Sequence, residues 1–193
     1  MNTVYNKIIY KKNPHLFDKV RGFELINDYL VYKSNNSKAD LKVASILDFI
    51  NKRVNYIIRN YQAVKFEPKI AKLLLLHPWL NDGMQLFKDI HVYHKKSFAE
   101  LPPNTNFLGV NYPFGVHETN EVSIATDKKL RAEHRIIYLQ IRQNNKFMTK
   151  KFMDNLICHE LAHTITNDVI YRSEHSDYFA AADKLMNELW KIS

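Results

Sequence analysis

Between residues 39 and 64, apolar side chains recur at Leu41, Ala44, Leu47, Ile50, Val54, Ile57 or Ile58, Tyr61 and Val64, with Lys42, Asp48, Lys52, Arg53 and Arg59 between them. That spacing, kept over many turns, predicts a long amphipathic helix. A second helix is expected from Pro68, a residue suited to a first helical turn, to about His77, where "HPWLNDG" reads as a break. Ahead of both, residues 1–38 mix short apolar runs with the polar stretch "KSNNSK" at 33–38. Residues 84–100 read as helix or strand. The stretch 98–120 is rich in Pro and Gly, which limits it to short extended pieces and turns.

Further on, Ile137, Leu139 and Ile141 alternate with Tyr138, Gln140 and Arg142, the pattern of a half-buried strand. Thr149 is placed to cap a following helix, on which Met153, Ile157, Leu161 and Ile165 form one apolar stripe. A last helix is expected from about Asp177, burying Phe179, Ala182, Met186 and Leu189 or Trp190. The order of elements predicts an α+β domain. Residues 1–65 read as an N-terminal helical region of unassigned role and 66–193 as the domain carrying the chemistry, the two packed as one unit.

Composition narrows this further. The chain has 193 residues, enough for a core without staples, and no apolar run approaches a membrane span. No secretory signal is read at the N-terminus, and the single cysteine, Cys158, cannot pair internally. The expectation is an intracellular protein without a membrane partner. A formal net charge of +8 favours anionic partners, nucleic acid first, although a basic surface also serves solubility.

The segment "LICHELAHTITNDVIYRSEHSDYF", 156–179, carries the chemistry. His159 and His163 are four apart, so a helix stacks them on one face. Two imidazoles so placed can take two corners of a tetrahedral zinc ion. Glu160 projects beside them and suits a general base that takes a proton from a zinc-held water and passes it to the leaving amine. A catalytic zinc needs a third protein ligand, and His175, just past "TNDVIYRSE", is the candidate, with Glu174, Asp168 and Asp177 as substitutes. The bland alternative is a solvated helix face with two histidines. Cys158 points about 100° away from His159 on a helix and reads as a small buried hydrophobe. His91 and His94 lack an acid or third ligand nearby and read as surface or core histidines. Tyr171, Arg172 and Tyr178 are candidates to stabilise an oxyanion, with core packing the simpler role for the tyrosines.

From Ala99 to Phe179 the chain resembles the WLM metalloproteases, relatives of the SprT and Spartan proteins. The ordered motifs are "ELPPN" at 100–104, "LGVNYPFG" at 108–115, "IYLQIR" at 137–142, "HELAH" at 159–163 and "HSDYF" at 175–179. The first 65 residues do not share in it. Residues 116–134 look like an insertion, Gln140 stands where the family prefers arginine, Pro113 where it often has a polar residue, and the gap from His163 to His175 is nearer that of Spartan. The resemblance implies a minimal gluzincin-like fold, with a small sheet over the metal helix and an extended substrate along a strand edge. It also implies Zn2+ as cofactor and DNA-crosslinked proteins as substrates, with DNA promoting their cleavage. Lys128, Lys129, Arg131 and Arg135 in the insertion, with Lys146, Lys150 and Lys151 before the metal helix, are the expected DNA contacts. Composition rich in Asn and Lys and poor in Gly suits a large DNA virus, with packaging in the virion a corollary. The rival expectations are a catalytically weak nucleic-acid-binding or structural particle protein that keeps the zinc fold, and a deformylase-like hydrolase, against which the absence of an upstream cysteine counts.

Overall fold

The sheet begins earlier than the hydrophobic pattern indicated. Strand β1 (Phe23–Ile26) and strand β2 (Tyr29–Tyr32) form an antiparallel hairpin in register Phe23↔Tyr32 to Ile26↔Tyr29. The turn is two residues long, Asn27 and Asp28, both with positive φ (50° and 71°). Asn and Asp are the non-glycine residues that best tolerate this left-handed region, and it suits the twist of a two-residue hairpin. Region 1–65, expected to be helical, therefore contributes strands as well. The computed structural model describes residues 23–90, 98–101, 108–112, 115–116, 122–123, 136–143, 146–170 and 176–193.

Helix α1 (Ser37–Val64) follows the predicted stripe. The Asn36 side chain accepts from the Ala39 N–H at 3.1 Å and caps it. Val43, Ala44, Leu47, Ile50, Val54, Ile57, Ile58 and Tyr61 are buried along its inner face. Helix α2 (Pro68–Leu76) is followed almost at once by helix α3 (Trp79–Ile90). "HPWLNDG" is thus a break of only two residues: Leu80 N–H bonds to His77 O and Asn81 N–H to Pro78 O, and Gly83 lies inside the new helix.

The remaining elements are β3 (Phe98–Glu100), β4 (Gly109–Tyr112), β5 (Gly115–Val116), β6 (Val122–Ser123), β7 (Ile136–Leu139), β8 (Arg142–Gln143), β9 (Lys146–Phe147), α4 (Lys150–Ile170) and α5 (Asp177–Ile192). The main sheet runs β1-β2-β3-β7-β4; β2/β3 and β3/β7 are parallel, and β4 is antiparallel to β7. β5–β6 and β8–β9 form two small hairpins. The segment around β7 was expected to be half-buried. Instead every residue from Ile137 to Arg142 is at most 3% exposed, because β7 lies between β3 and β4 and is covered on both faces.

The core is continuous. α1 lies against β2 and β3, and α4 packs on α5, α3 and β4. Met153, Ile157, Leu161 and Ile165 turn inward as predicted and meet a core that includes Phe179, Ala182, Leu185, Met186 and Leu189 of α5. The class is α+β. Among the described residues no helix is long and apolar enough to cross a membrane.

Candidate metal centre

Helix α4 starts where the sequence places its cap: the Phe152 N–H donates to Thr149 Oγ1 at 3.2 Å and the Met153 N–H to Thr149 O at 3.0 Å. With the apolar stripe turned to the core, His159 and His163 lie on a half-buried face, one turn apart. Their ring centroids are 4.9 Å apart with the planes at 83°. Phe179, from the first turns of α5, backs both rings, with centroids 4.8 Å from His159 and 4.4 Å from His163. A buried aromatic against both imidazoles restricts their rotamers, so the pair is preorganised.

Glu160 is turned toward the sheet and only 4% exposed. Its carboxylate lies against Gly109 of β4: a Cβ built there would overlap Oε1 and lie 2.9 Å from Cδ, with Leu156 Cδ1 also at 2.9 Å. Two residues on, Asn111 Nδ2 donates to the Glu160 carbonyl and to Thr164 Oγ1, the latter at 2.8 Å. Among the described residues no hydrogen bond reaches the Glu160 carboxylate. Burial pushes its carboxyl up to about 7.

The two imidazoles, one turn apart on a face backed by Phe179, fit two corners of a zinc site. Among the described residues no group of three His, Cys, Asp or Glu converges to hold a metal. The third-ligand candidate His175 lies outside the described residues, as does its substitute Glu174. Asp168 belongs to α4 by its backbone alone, and Asp177 is exposed on the first turn of α5.

Other expected residues separate from the site. Cys158 is fully buried and its thiol points to Met186 O at 3.6 Å; burial pushes the thiol pKa up, which makes it a core residue. Tyr178 is 42% exposed and meets Trp79 edge-on at 5.5 Å. Tyr171, Arg172, His91, His94, Lys128, Lys129, Arg131 and Arg135 lie outside the described residues. Lys146, Lys150 and Lys151 are exposed, and Lys150 is paired with Asp154 at 2.6 Å. Lys150 is nine positions before His159, roughly 13 Å along the helix.

Gly109, Asn111, Thr164 and the packing of Phe179 on the imidazoles were not assigned from sequence. The one available signal was a glycine in an extended segment, which marks a close approach by another group. No family model, curated protein or solved structure matches the chain.

Proposed function

We propose that this protein is a zinc-dependent endopeptidase of the WLM type that acts on DNA-associated or DNA-crosslinked proteins. The observation that carries the reading is the pairing of His159 and His163 on one face of α4, rings 4.9 Å apart, with Glu160 directed between that helix and β4. His159 and His163, with His175 as the third, would hold the ion through neutral imidazoles. A bound zinc ion supplies Lewis acidity, polarising a peptide carbonyl and acidifying the attacking water. Through its carboxylate, Glu160 would take the proton of the attacking water and return it to the leaving nitrogen. β4 is the end strand of the main sheet and lies beside Glu160, which suits pairing with an extended substrate.

The net charge of +8, with Lys146 exposed ahead of α4 and Lys150 and Lys151 exposed in its first turn, supports a polyanionic partner. The same charge fits a nucleic-acid-binding or structural particle protein of slight activity. Glu160 favours the enzyme, because a zinc held only for structure needs no carboxylate beside its ligands.

The test is zinc content per chain in the wild type and in His159→Ala, His163→Ala and His175→Ala. About one equivalent is expected in the wild type and a sharp loss in each variant. Full zinc content and activity in His175→Ala would move the third ligand elsewhere, with Glu174 the next residue to replace.

A further inference from the structure

Among the described residues no hydrogen bond reaches the Glu160 carboxylate, so among them it is positioned by what packs around it. For Glu160 that surroundings is strand β4. Gly109 has no side chain at the point where the carboxylate sits, and any Cβ there would overlap Oε1 and crowd Cδ and Leu156 Cδ1. Asn111 lies two residues along and so on the same face of the strand. Its Nδ2 bridges the Glu160 carbonyl and the Thr164 hydroxyl, spanning the turn of α4 that carries His163. Thr164 is fully buried. β4 is itself held in register with β7 by the pairs Gly109↔Leu139 to Tyr112↔Ile136 and by the Gln140 N–H to Leu108 O bond at 2.8 Å.

We propose that β4 is the positioning element for Glu160: Gly109 leaves room for the carboxylate, and Asn111 fixes the distance between strand and helix. Both are positioning residues that act through Glu160. Their role rests on the peptidase reading, in which a base displaced by an ångström loses much of its effect, on the order of 10²-fold.

The experiment compares Gly109→Ala, Asn111→Asp and Thr164→Val with wild type for zinc content, kcat, KM and Tm. Asn111→Asp keeps the shape and removes the N–H donors, so it tests the same idea should Gly109→Ala fail to fold. Gly109→Ala and Asn111→Asp are expected to lower kcat by roughly 10²-fold while zinc content stays at the wild-type level and KM moves by less than about twofold. Thr164→Val removes one of two acceptors and should be milder. The Tm loss caused by Gly109→Ala should be clearly smaller when Glu160 is replaced by alanine, because the overlap with Oε1 is gone and only the Leu156 Cδ1 contact remains. An equal Tm loss in both backgrounds, an unchanged kcat, or loss of zinc together with kcat would overturn the proposal. If the wild-type chain cleaves nothing, the peptidase reading fails on its own, and the Tm comparison still decides whether Gly109 and Glu160 are coupled.

Discussion

Arg142 stands between two carboxylates: it donates through Nε to Glu100 Oε1 at 2.8 Å and through Nη1 to Asp40 Oδ1 at 2.7 Å. All three residues are at most 3% exposed. The cluster holds one more negative charge than positive, so one carboxyl gains by taking up a proton. Burial pushes Glu100 up to about 7 against the opposing pull of Arg142 and the Tyr32 N–H. For Asp40 burial also works upward, but hydrogen bonds from Ser34 and Arg142 outweigh it and hold the carboxyl below its usual range. Because Glu100 has a folded pKa above its ordinary 4.5, its contribution to stability is full below that value and is lost as pH rises through about 7. Asp40 has the opposite sign and loses its contribution as pH falls below the usual carboxylate range. Glu100→Gln should therefore flatten the decline in stability between about pH 4.5 and 7, a span on the order of 3 kcal/mol, and leave the acid-side decline in place. Urea unfolding across that range checks it; an undiminished decline in the variant would assign it to another group. Glu100 and Arg142 both sit in motifs legible in the sequence, but their pairing was not, since it joins residues 42 apart and brings in Asp40 from 102 away. Gly109 is similar: its glycine was visible, and the carboxylate that requires it was not.

Among the elements, three helices were legible because burial on one side leaves a periodic trace, as with Met153, Ile157, Leu161 and Ile165, and a fourth was legible from the proline that opens it. The β1–β2 hairpin was not, since Asn27-Asp28 lacks the glycine that usually marks such a turn. α3 was blurred by Pro78 and Gly83, which read as breakers. One latch decides how firmly α5 holds Phe179 against the imidazoles. Arg53 of α1 donates through Nε to Ser193 Oγ at 2.7 Å and through Nη2 to Trp190 O, and lies over the Trp190 ring at 4.3 Å. Trp190 Nε1 in turn donates to Asp154 Oδ1 of α4 at 2.8 Å. Arg53→Ala removes charged hydrogen bonds and a cation–π contact together and should cost about 2–3 kcal/mol of stability. A loss below about 0.5 kcal/mol, the scale of an exposed substitution, would show that α5 is held by its apolar face alone.

At the scale of the whole molecule, the α+β class followed from the order of patterned segments, whereas the strand order did not. Its parallel pairs, β2/β3 and β3/β7, join segments distant in sequence, and nothing local marks which will meet. The overall charge is likewise a property of the whole chain. If it serves DNA, Lys128→Glu, Lys129→Glu and Arg131→Glu together should weaken binding of single-stranded or junction DNA and flatten its salt dependence, with zinc content unchanged, because fewer counterions are released. Unchanged affinity would make these residues a solvated face. The central claim is that His159, His163 and Glu160 perform metal-assisted peptide hydrolysis, and the most direct measurement is cleavage of a DNA-bound protein by wild type and by Glu160→Gln, with zinc quantified in the same samples. Glutamine keeps the shape beside Gly109 and removes the proton acceptor. Zinc near the wild-type level with cleavage reduced by at least ~10²-fold is the predicted result; undiminished cleavage by Glu160→Gln would contradict it.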